Sequence, residues 1–309
     1  MSTENEKFGI FAYVVTLYFF AAMEALAKYL SESISVIQIV WARYTVQFII
    51  VFMVIIILEL LGCKTGIQKP KLLKIQLLRS LSLVLMTYCF FASLSKLPLI
   101  EATIISFTFP LITVLLSPML LKEKITSSSL IAVFLGFVGV CIALIPNAEL
   151  SNSFDNNEWL LGVLLAFASA IFFSLYQIGT RALANTDPPV TSLIFSGLAG
   201  LILTSIFLLL NFDPVSFSYA WKMPIYSEFL WLILVGTLGA IGQFFILVAY
   251  SKASAITLAS ISYVHLIWAS IFAYFIFNYI PNIYTFMGAI IIVISGMLTY
   301  NKKLINNFF

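Results

Sequence analysis

Long apolar segments follow one another along almost the whole chain, separated by short polar stretches. A helix needs about 20 apolar residues to cross a hydrocarbon core about 30 Å thick. The periodicity of these segments is helical and lacks the weak alternation of a membrane barrel. The pattern therefore predicts an all-α polytopic membrane protein with ten transmembrane helices. The predicted spans are residues 8–30, 36–61, 72–94, 97–121, 125–145, 159–183, 190–210, 229–250, 255–277 and 283–300.

The two halves of the chain repeat one another. At an offset of 156 residues, 95–107 falls on 251–263, and at an offset of 153, 20–28 falls on 173–181. A duplication that fills a membrane protein points to a transporter built from two halves. We therefore predict two five-helix repeats, at residues 1–147 and 158–309. An external linker at residues 148–157 is predicted to join them.

Composition agrees with a membrane chain. The sequence is 62% hydrophobic and 9% charged, far from the roughly 25% charged residues of a soluble domain. The formal net charge of +3 is spread over short loops, so it bears on loop orientation and indicates no nucleic-acid partner.

The basic residues predict the orientation of the chain. A cytoplasmic N-terminus places twelve of them inside and three outside. The loop at 147–158 is acidic and lacks lysine and arginine. The positive-inside rule then predicts both termini in the cytoplasm, in a multi-pass protein of the inner (cytoplasmic) membrane. Five spans per half make the repeats inverted. The twelve are Lys7, Lys64, Lys69, Lys71, Lys74, Arg79, Lys122, Lys124, Arg181, Lys252, Lys302 and Lys303, and the three are Lys28, Lys96 and Lys222.

Charged side chains inside the spans are candidate site residues, because they are costly to bury unless they face protein or a water-filled cavity. Glu24 and Lys28 lie four residues apart, which suits a local ion pair; the alternatives are a substrate or proton role and a structural pair near the helix end. Arg43 is a candidate to bind a carboxylate or to tie helix ends together. His265 is a candidate for a coupling proton, since free histidine titrates near ~6.5, or a packing residue.

Several short motifs occur in a fixed order along the spans. Ala27-Lys28-Tyr29-Leu30 ends the first span, Arg43 lies in the second and Arg79 enters the third. Pro98, Pro110 and Glu123 mark the fourth, and Gly136 and Gly139 the fifth. In this order the chain resembles the drug/metabolite transporter superfamily, in its ten-helix EamA-type branch. The second half departs from the pattern, with Leu266 at the position of Pro110 and Tyr279 at that of Glu123. Residues 105–110 and 273–278 are similar to bacterial S-adenosylmethionine uptake carriers.

The resemblance implies a central cavity lined by the first, third, fourth, sixth, eighth and ninth spans. Polar residues on these spans are its expected lining, and aromatic residues are candidates to hold planar or cationic ligands. The predicted substrate-binding residues are Glu24, Lys28, Arg43, Tyr88, Ser106, Gln177, Gln243, Tyr263, His265 and Trp268. Glycines in the eighth span, including Gly236 and Gly242, predict close helix packing.

These features favour a secondary transporter that moves a small organic metabolite by alternating access. An amphoteric substrate, such as an amino acid or S-adenosylmethionine, would pair its cation with Glu24 and its carboxylate with Arg43 or Lys28. The alternative is export or exchange of an uncharged or aromatic metabolite or drug.

Other classes fit less well. The sequence contains no Gly-x-x-x-x-Gly-Lys phosphate loop and no motif of an intramembrane enzyme, which disfavours an ATP-driven pump and an enzyme. A channel is disfavoured because rings of charged residues are missing. We expect no metal and no cofactor. The expected partners are a small-molecule substrate, the lipid bilayer, and a coupling proton or counter-substrate.

Overall fold

The computed structural model describes residues 3–62, 67–123, 125, 127–144, 156–184, 186–211, 213, 221–278 and isolated positions between 283 and 294. Within these residues the regular structure is entirely α-helical. The helices are α1 (Thr3–Leu30), α2 (Val36–Leu60), α3 (Leu73–Lys96), α4 (Leu99–Ser106), α5 (Phe109–Leu121), α6 (Ser127–Leu144), α7 (Asn156–Leu183), α8 (Pro189–Leu209), α9 (Tyr226–Lys252), α10 (Ala255–Ile261) and α11 (Val264–Phe277).

Eight stretches among the described residues are long and apolar enough to cross a membrane. They correspond to the first four predicted spans and to the sixth through ninth. The fifth predicted span forms the 18-residue helix α6. The tenth predicted span, 283–300, and the predicted linker, 148–157, lie largely outside the described residues. The chain is a polytopic helical membrane protein, and its tenth helix stays a prediction.

Two of the predicted spans are each built from two helices. The fourth span is interrupted at Phe107 and Thr108, between α4 and α5, and the ninth at Ser262 and Tyr263, between α10 and α11. Both spans are confirmed as membrane-spanning stretches, and the breaks within them are a finding of the structure. At the offset of 156 residues Phe107 falls on Tyr263, so the two breaks occupy equivalent positions of the predicted repeats.

Proline accounts for the first break. Pro110 is in the first turn of α5 and has no N–H. It therefore cannot donate the α-helical hydrogen bond that another residue at this position would give to the carbonyl of Ser106. The chain tightens at this point, and the N–H of Thr108 donates to the carbonyl of Ile105 at 3.2 Å, a hydrogen bond of the 3₁₀ type.

The second break forms without a proline. Leu266 occupies the position of Pro110, and its N–H donates to the carbonyl of Tyr263 at 3.0 Å. The N–H of His265 donates to the carbonyl of Ser262, also at 3.0 Å. These short-range bonds replace the α-helical ones, so the break is a property of the fold at this position and does not depend on proline.

The helices of the two halves pack in corresponding pairs, such that interchanging the two predicted repeats converts one pair into another. Helix α1 lies along α9, and α3 lies along α7. Since α1 and α7 open the two predicted repeats and α3 and α9 are their third spans, exchange of the halves converts one pair into the other. The pair α4 with α11 and the pair α5 with α10 exchange in the same way. Most of the buried apolar side chains form one cluster between these pairs.

Two basic residues at equivalent repeat positions make the same contact. Lys28 Nζ donates to the carbonyl of Leu94 at 2.6 Å, and Arg181 Nη1 donates to the carbonyl of Tyr250 at 2.9 Å. Each contact joins the end of the first helix of a repeat to the end of the third helix of the same repeat. Arg181 also forms an ion pair with Glu123, with Nε and Oε1 2.8 Å apart.

Glycines let α9 approach its neighbours closely. A Cβ at Gly236 would lie 2.4 Å from Cβ of Val46 on α2, and a Cβ at Gly242 would lie 2.6 Å from Cδ1 of Phe20 on α1. Both distances are far below van der Waals contact, so any larger residue forces the helices apart. The sequence-based prediction of close packing at these glycines is confirmed.

Arg79 does not belong with the loop charges. It is buried within α3, where Nη2 donates to the carbonyl of Ser192 at 2.7 Å and to Oγ of Ser196 at 2.8 Å. Its guanidinium also lies 5.4 Å from the ring centre of Tyr176. Counting Arg79 among the inner loop charges was therefore wrong, because its side chain joins α3 to α8 inside the protein.

Candidate functional site

An intramembrane cavity lies where α1, α3, α4, α5, α7 and α11 meet. Aromatic and aliphatic side chains form most of its wall, and the polar members of the lining are two serines, one glutamate and one histidine. The lining residues are Leu17, Phe20, Glu24, Met86, Phe90, Ser106, Phe107, Phe109, Ser169, Ala170, Phe173 and His265. An apolar pocket with a few convergent polar groups is the usual form of a small-molecule site.

The central polar feature of the cavity is a pair formed by Glu24 and His265. Glu24 Oε2 on α1 lies 2.8 Å from His265 Nε2 on α11, and the side chains are only 14% and 5% exposed. His265 is the second residue of α11, directly after the break, and the ring of Phe107 lies 5.4 Å from its imidazole. The break thus places a titratable ring opposite the acid of the first helix. A carboxylate in this position can hold either an imidazolium or a ligand cation.

Two hydroxyl groups provide the other polar part of the cavity. Oγ of Ser106, the last residue of α4, lies 2.9 Å from Oγ of Ser169 on α7. The carbonyl of Ala166 lies within hydrogen-bond distance of both hydroxyls, 2.6 Å from Oγ of Ser169 and 3.2 Å from Oγ of Ser106. These groups are neutral and can exchange hydrogen bonds with a polar ligand at no cost in charge.

The cavity is small as the helices stand. It offers about 50 Å³ to water-sized molecules, and one water needs roughly 10–15 Å³ by this measure. It therefore has room for a few waters and is smaller than an amino acid or a nucleoside. An organic ligand enters this site only if the surrounding helices move apart.

Glu24 does not pair with Lys28, in contrast to the local pair considered from the sequence. The Lys28 amine points away from Glu24 to the carbonyl of Leu94, and Glu24 pairs with His265 across the helices. Lys28 thus contacts α3 and is outside the cavity lining. The structure brings together three of the predicted site residues, Glu24, Ser106 and His265.

Arg43 lies behind the cavity wall. It is buried, and Nε donates to Sδ of Met23 at 3.2 Å while Nη1 donates to Oγ1 of Thr87 at 2.5 Å. The guanidinium stands 4.7 Å from the ring centre of Tyr44. No ion pair to Arg43 occurs within the described part of the chain. Since Met23 neighbours Glu24 in α1, Arg43 is one side chain removed from the acid of the cavity.

Gln177 and Gln243 belong to a polar layer adjoining the cavity. Gln177 lies one turn beyond the lining residue Phe173 on α7; it accepts from Thr113 at 3.2 Å and donates to Tyr13 at 3.5 Å. Gln243 donates to the hydroxyl of Tyr176 at 2.6 Å. All of these side chains are buried. The eighth predicted span, which forms α9, therefore contributes to this layer and not to the cavity wall.

The three aromatic candidates have other contacts. The hydroxyl of Tyr88 donates to Oδ1 of Asp213 at 2.6 Å. The hydroxyl of Tyr263 donates to the carbonyl of Val133 on α6 at 3.2 Å. Trp268 packs edge-to-face on Tyr18, with ring centres 5.1 Å apart. None of the three lines the cavity described above.

Sequence reasoning did not single out most of the lining. Ser169 is a small polar residue in an apolar span, a weak signal shared with many helix-packing serines. Phe90, Phe107 and Phe173 carry no distinguishing mark in a chain with 29 phenylalanines. The one usable signal was Pro110, which marks the break beside Phe107.

Comparison with known proteins identifies the family. The model of the EamA-like transporter family matches the chain twice, over residues 7–145 and 160–301. The chain belongs to the EamA-like transporter family. This transporter is also 33% identical over 216 residues to an uncharacterized transporter of Helicobacter pylori, a match that covers 68% of this chain and 67% of the relative.

A second relative is similar over nearly its full length. The S-adenosylmethionine uptake transporter of Rickettsia bellii is 28% identical over 296 residues, covering 96% of this chain and 94% of the relative. A solved crystal structure matches with a TM-score of 0.75 over 96% of both chains at 18% identity, which bears on the fold alone. The family and these relatives are transporters and not enzymes.

Proposed function

We propose that this chain is a secondary transporter that carries a small amphoteric metabolite, such as S-adenosylmethionine or an amino acid, across the cytoplasmic membrane by alternating access. The observation that carries the proposal is the buried Glu24–His265 pair in an aromatic intramembrane cavity. Ionisable groups at this depth are costly and mark substrate or ion pathways. The nearly full-length similarity to an S-adenosylmethionine uptake transporter supports the substrate class.

The pair gives a physical route for binding a cation. The carboxylate of Glu24 holds the imidazole of His265 while the site is empty of substrate. An entering ammonium or sulfonium group takes the place of the imidazole at Glu24, so the carboxylate replaces the water that the cation loses on entry. Phenylalanine faces around the acid add favourable contact with an organic cation.

The carboxylate of an amphoteric substrate needs a donor close to this acid. Arg43 is the strongest candidate, since only neutral groups bind it among the described contacts. The side chain of Met23 lies between Arg43 and the cavity. Methionine has three rotatable bonds and adapts its shape easily. A shift of Met23 as the helices separate would expose the guanidinium to the ligand, where it can form a two-pronged hydrogen bond.

Alternating access would take place between two inverted five-helix repeats, at 1–147 and 158–309, joined by the linker 148–157. The double match of the family model supports this division, and so do the exchangeable helix pairs and the equivalent breaks of the fourth and ninth spans. Discontinuous helices at the interface of repeats are typical of transporter binding sites.

The orientation follows from the loop charges. Without the buried Arg79, eleven basic residues remain inside and three outside in the predicted arrangement, so the positive-inside rule still favours cytoplasmic termini. The cavity then lies on the outer side of the polar layer formed by Gln177 and Gln243. The outer side of the protein is the side of residues 147–158.

Transport by the purified protein in proteoliposomes tests the proposal. Labelled S-adenosylmethionine, amino acids, nucleosides and riboflavin are offered in turn, and saturable uptake with counterflow is measured. We expect saturable uptake of amphoteric compounds and its loss in Glu24→Ala. Transport confined to uncharged aromatic compounds would refute the amphoteric assignment and favour the aromatic wall as the recognition element, in an exporter or exchanger.

A further inference from the structure

A second acidic residue, Glu101, is buried away from the cavity lining. It lies in the first turn of α4 and is 5% exposed. Its Oε1 has no hydrogen-bond partner within the described residues, and no ion pair joins it there. The indole of Trp159, at the start of α7, lies near it, and its Nε1 likewise has no hydrogen-bond partner among the described residues.

The charged groups in the outer halves of the neighbouring helices have partners of their own. On α3 and α7, Lys96 pairs with Glu158. On α11 and α1, His265 pairs with Glu24, and Lys28, further along α1, donates to a backbone carbonyl. Helix α6 presents no charged side chain, and Cys141 is its titratable group. Glu101 is thus left without a cation among the described residues of every helix packed on α4.

An ionised carboxylate in this environment is unfavourable. Transfer of an unpaired charge out of water costs several kcal/mol, and such a group takes up a proton instead. Burial of the neutral acid beside an indole costs much less. The closed arrangement of α4 against α7 therefore fits the protonated side chain and disfavours the carboxylate.

Helix α4 connects this acid to the transport site. Ser106, at the other end of the helix, lines the cavity, and five helical residues span about 7.5 Å along the axis. Glu158, which precedes Trp159 in the chain, and its partner Lys96 are partly exposed to water, at 52% and 20%. Movement of α4 away from α7 would open the cavity and give Glu101 access to outer water in one step.

We infer that Glu101 is a proton-binding site that links closure of the outer side to the outer pH. In the outward-open state the residue exchanges its proton with outer water. Closure buries Glu101 as the neutral acid, so a falling outer pH favours the state in which the outer side is closed. By linkage, one proton changes the open-to-closed ratio by about tenfold per pH unit at the steepest point. This inference is separate from substrate binding at Glu24, but its directional part rests on the orientation proposed above.

Infrared spectroscopy tests proton binding without transport. A protonated carboxyl group has a C=O stretching band distinct from that of a carboxylate. We expect this band at neutral pH in the wild type and in Glu32→Gln, and its loss in Glu101→Gln. If Glu101→Gln is not recovered as folded protein, Glu101→Asp should shift the band. An unchanged band in the Glu101 variant overturns the inference, whatever the protein transports.

Labelling from outside tests the link to closure. In a variant without Cys63, Cys89 and Cys141, a cysteine replacing Ser106 is exposed in proteoliposomes to a maleimide that cannot cross membranes. We expect its labelling rate to rise with outer pH when Glu101 is present, and to be low and independent of pH with Glu101→Gln. Glu32→Gln, which neutralises an exposed acid in the turn after α1, is the matched control and should keep the pH dependence. The same pH dependence with and without Glu101 overturns the link.

Discussion

Replacing Glu24 by Gln removes the negative charge of the cavity while keeping the shape of the side chain. In the structure the carboxylate is 14% exposed and holds His265 at 2.8 Å, so little water is available to compensate a cation that binds there. The lost interaction is one charge-assisted hydrogen bond, about 1.5–3 kcal/mol, which corresponds to roughly one to two decades in affinity. The Gln amide can still accept from or donate to the imidazole, so we expect the fold to persist.

The measurement is equilibrium binding of labelled S-adenosylmethionine to purified protein, together with uptake in proteoliposomes. Binding is preferred for the comparison, since KM equals Kd only when chemistry or transport is slow relative to dissociation. Glu158→Gln is the control: its acid is 52% exposed and pairs with Lys96, and an exposed pair contributes about 0–1 kcal/mol. Wild-type affinity in folded Glu24→Gln would refute the role of Glu24 as the cation site.

Three further predictions follow from the same structure. His265→Ala should strengthen binding of a cationic substrate, since the imidazole then no longer competes with the ligand for the Glu24 carboxylate; equilibrium binding of labelled S-adenosylmethionine checks this. Gly236→Val should destabilise the protein by about 1–3 kcal/mol through overpacking against Val46, with a lower midpoint of thermal unfolding, whereas Leu234→Ala, outward-facing on the same helix, should change it little. Reporter fusions after Asn152 should lie outside and fusions after Lys303 inside, and the reverse result would contradict the proposed orientation.

Hydropathy alone located most of the helices. The lipid requires long apolar segments with all backbone groups bonded internally, so the positions of eight membrane-spanning stretches could be read from the sequence. The breaks were harder to predict. Pro110 marks one of them, but the second, at Ser262 and Tyr263, arises from 3₁₀-type hydrogen bonds that leave no sign in the residue types.

The site was predictable where a residue is expensive to bury. Glu24 and His265 were singled out because charged groups are rare inside spans, and both line the cavity. Their partnership was not predictable, because they lie 241 residues apart and Lys28 offered a local alternative. Lys28 contacts a carbonyl at the end of α3 instead, a choice set by how the helices pack.

The two halves agree in packing and differ in charge, and that difference bears on how a cation would move. Glu24 on α1 corresponds to Gln177 on α7 at the offset of 153 residues. The acid lies in the cavity, whereas the amide lies in the neighbouring layer and is bonded to neutral hydroxyl groups. A carboxylate holds a cation more strongly than an amide does, because the hydrogen bond is charge-assisted. In the proposed mechanism a cation is therefore captured at Glu24 and passes a weaker set of contacts at Gln177 on its way inward, so two halves with corresponding helix pairs present unequal affinities to it.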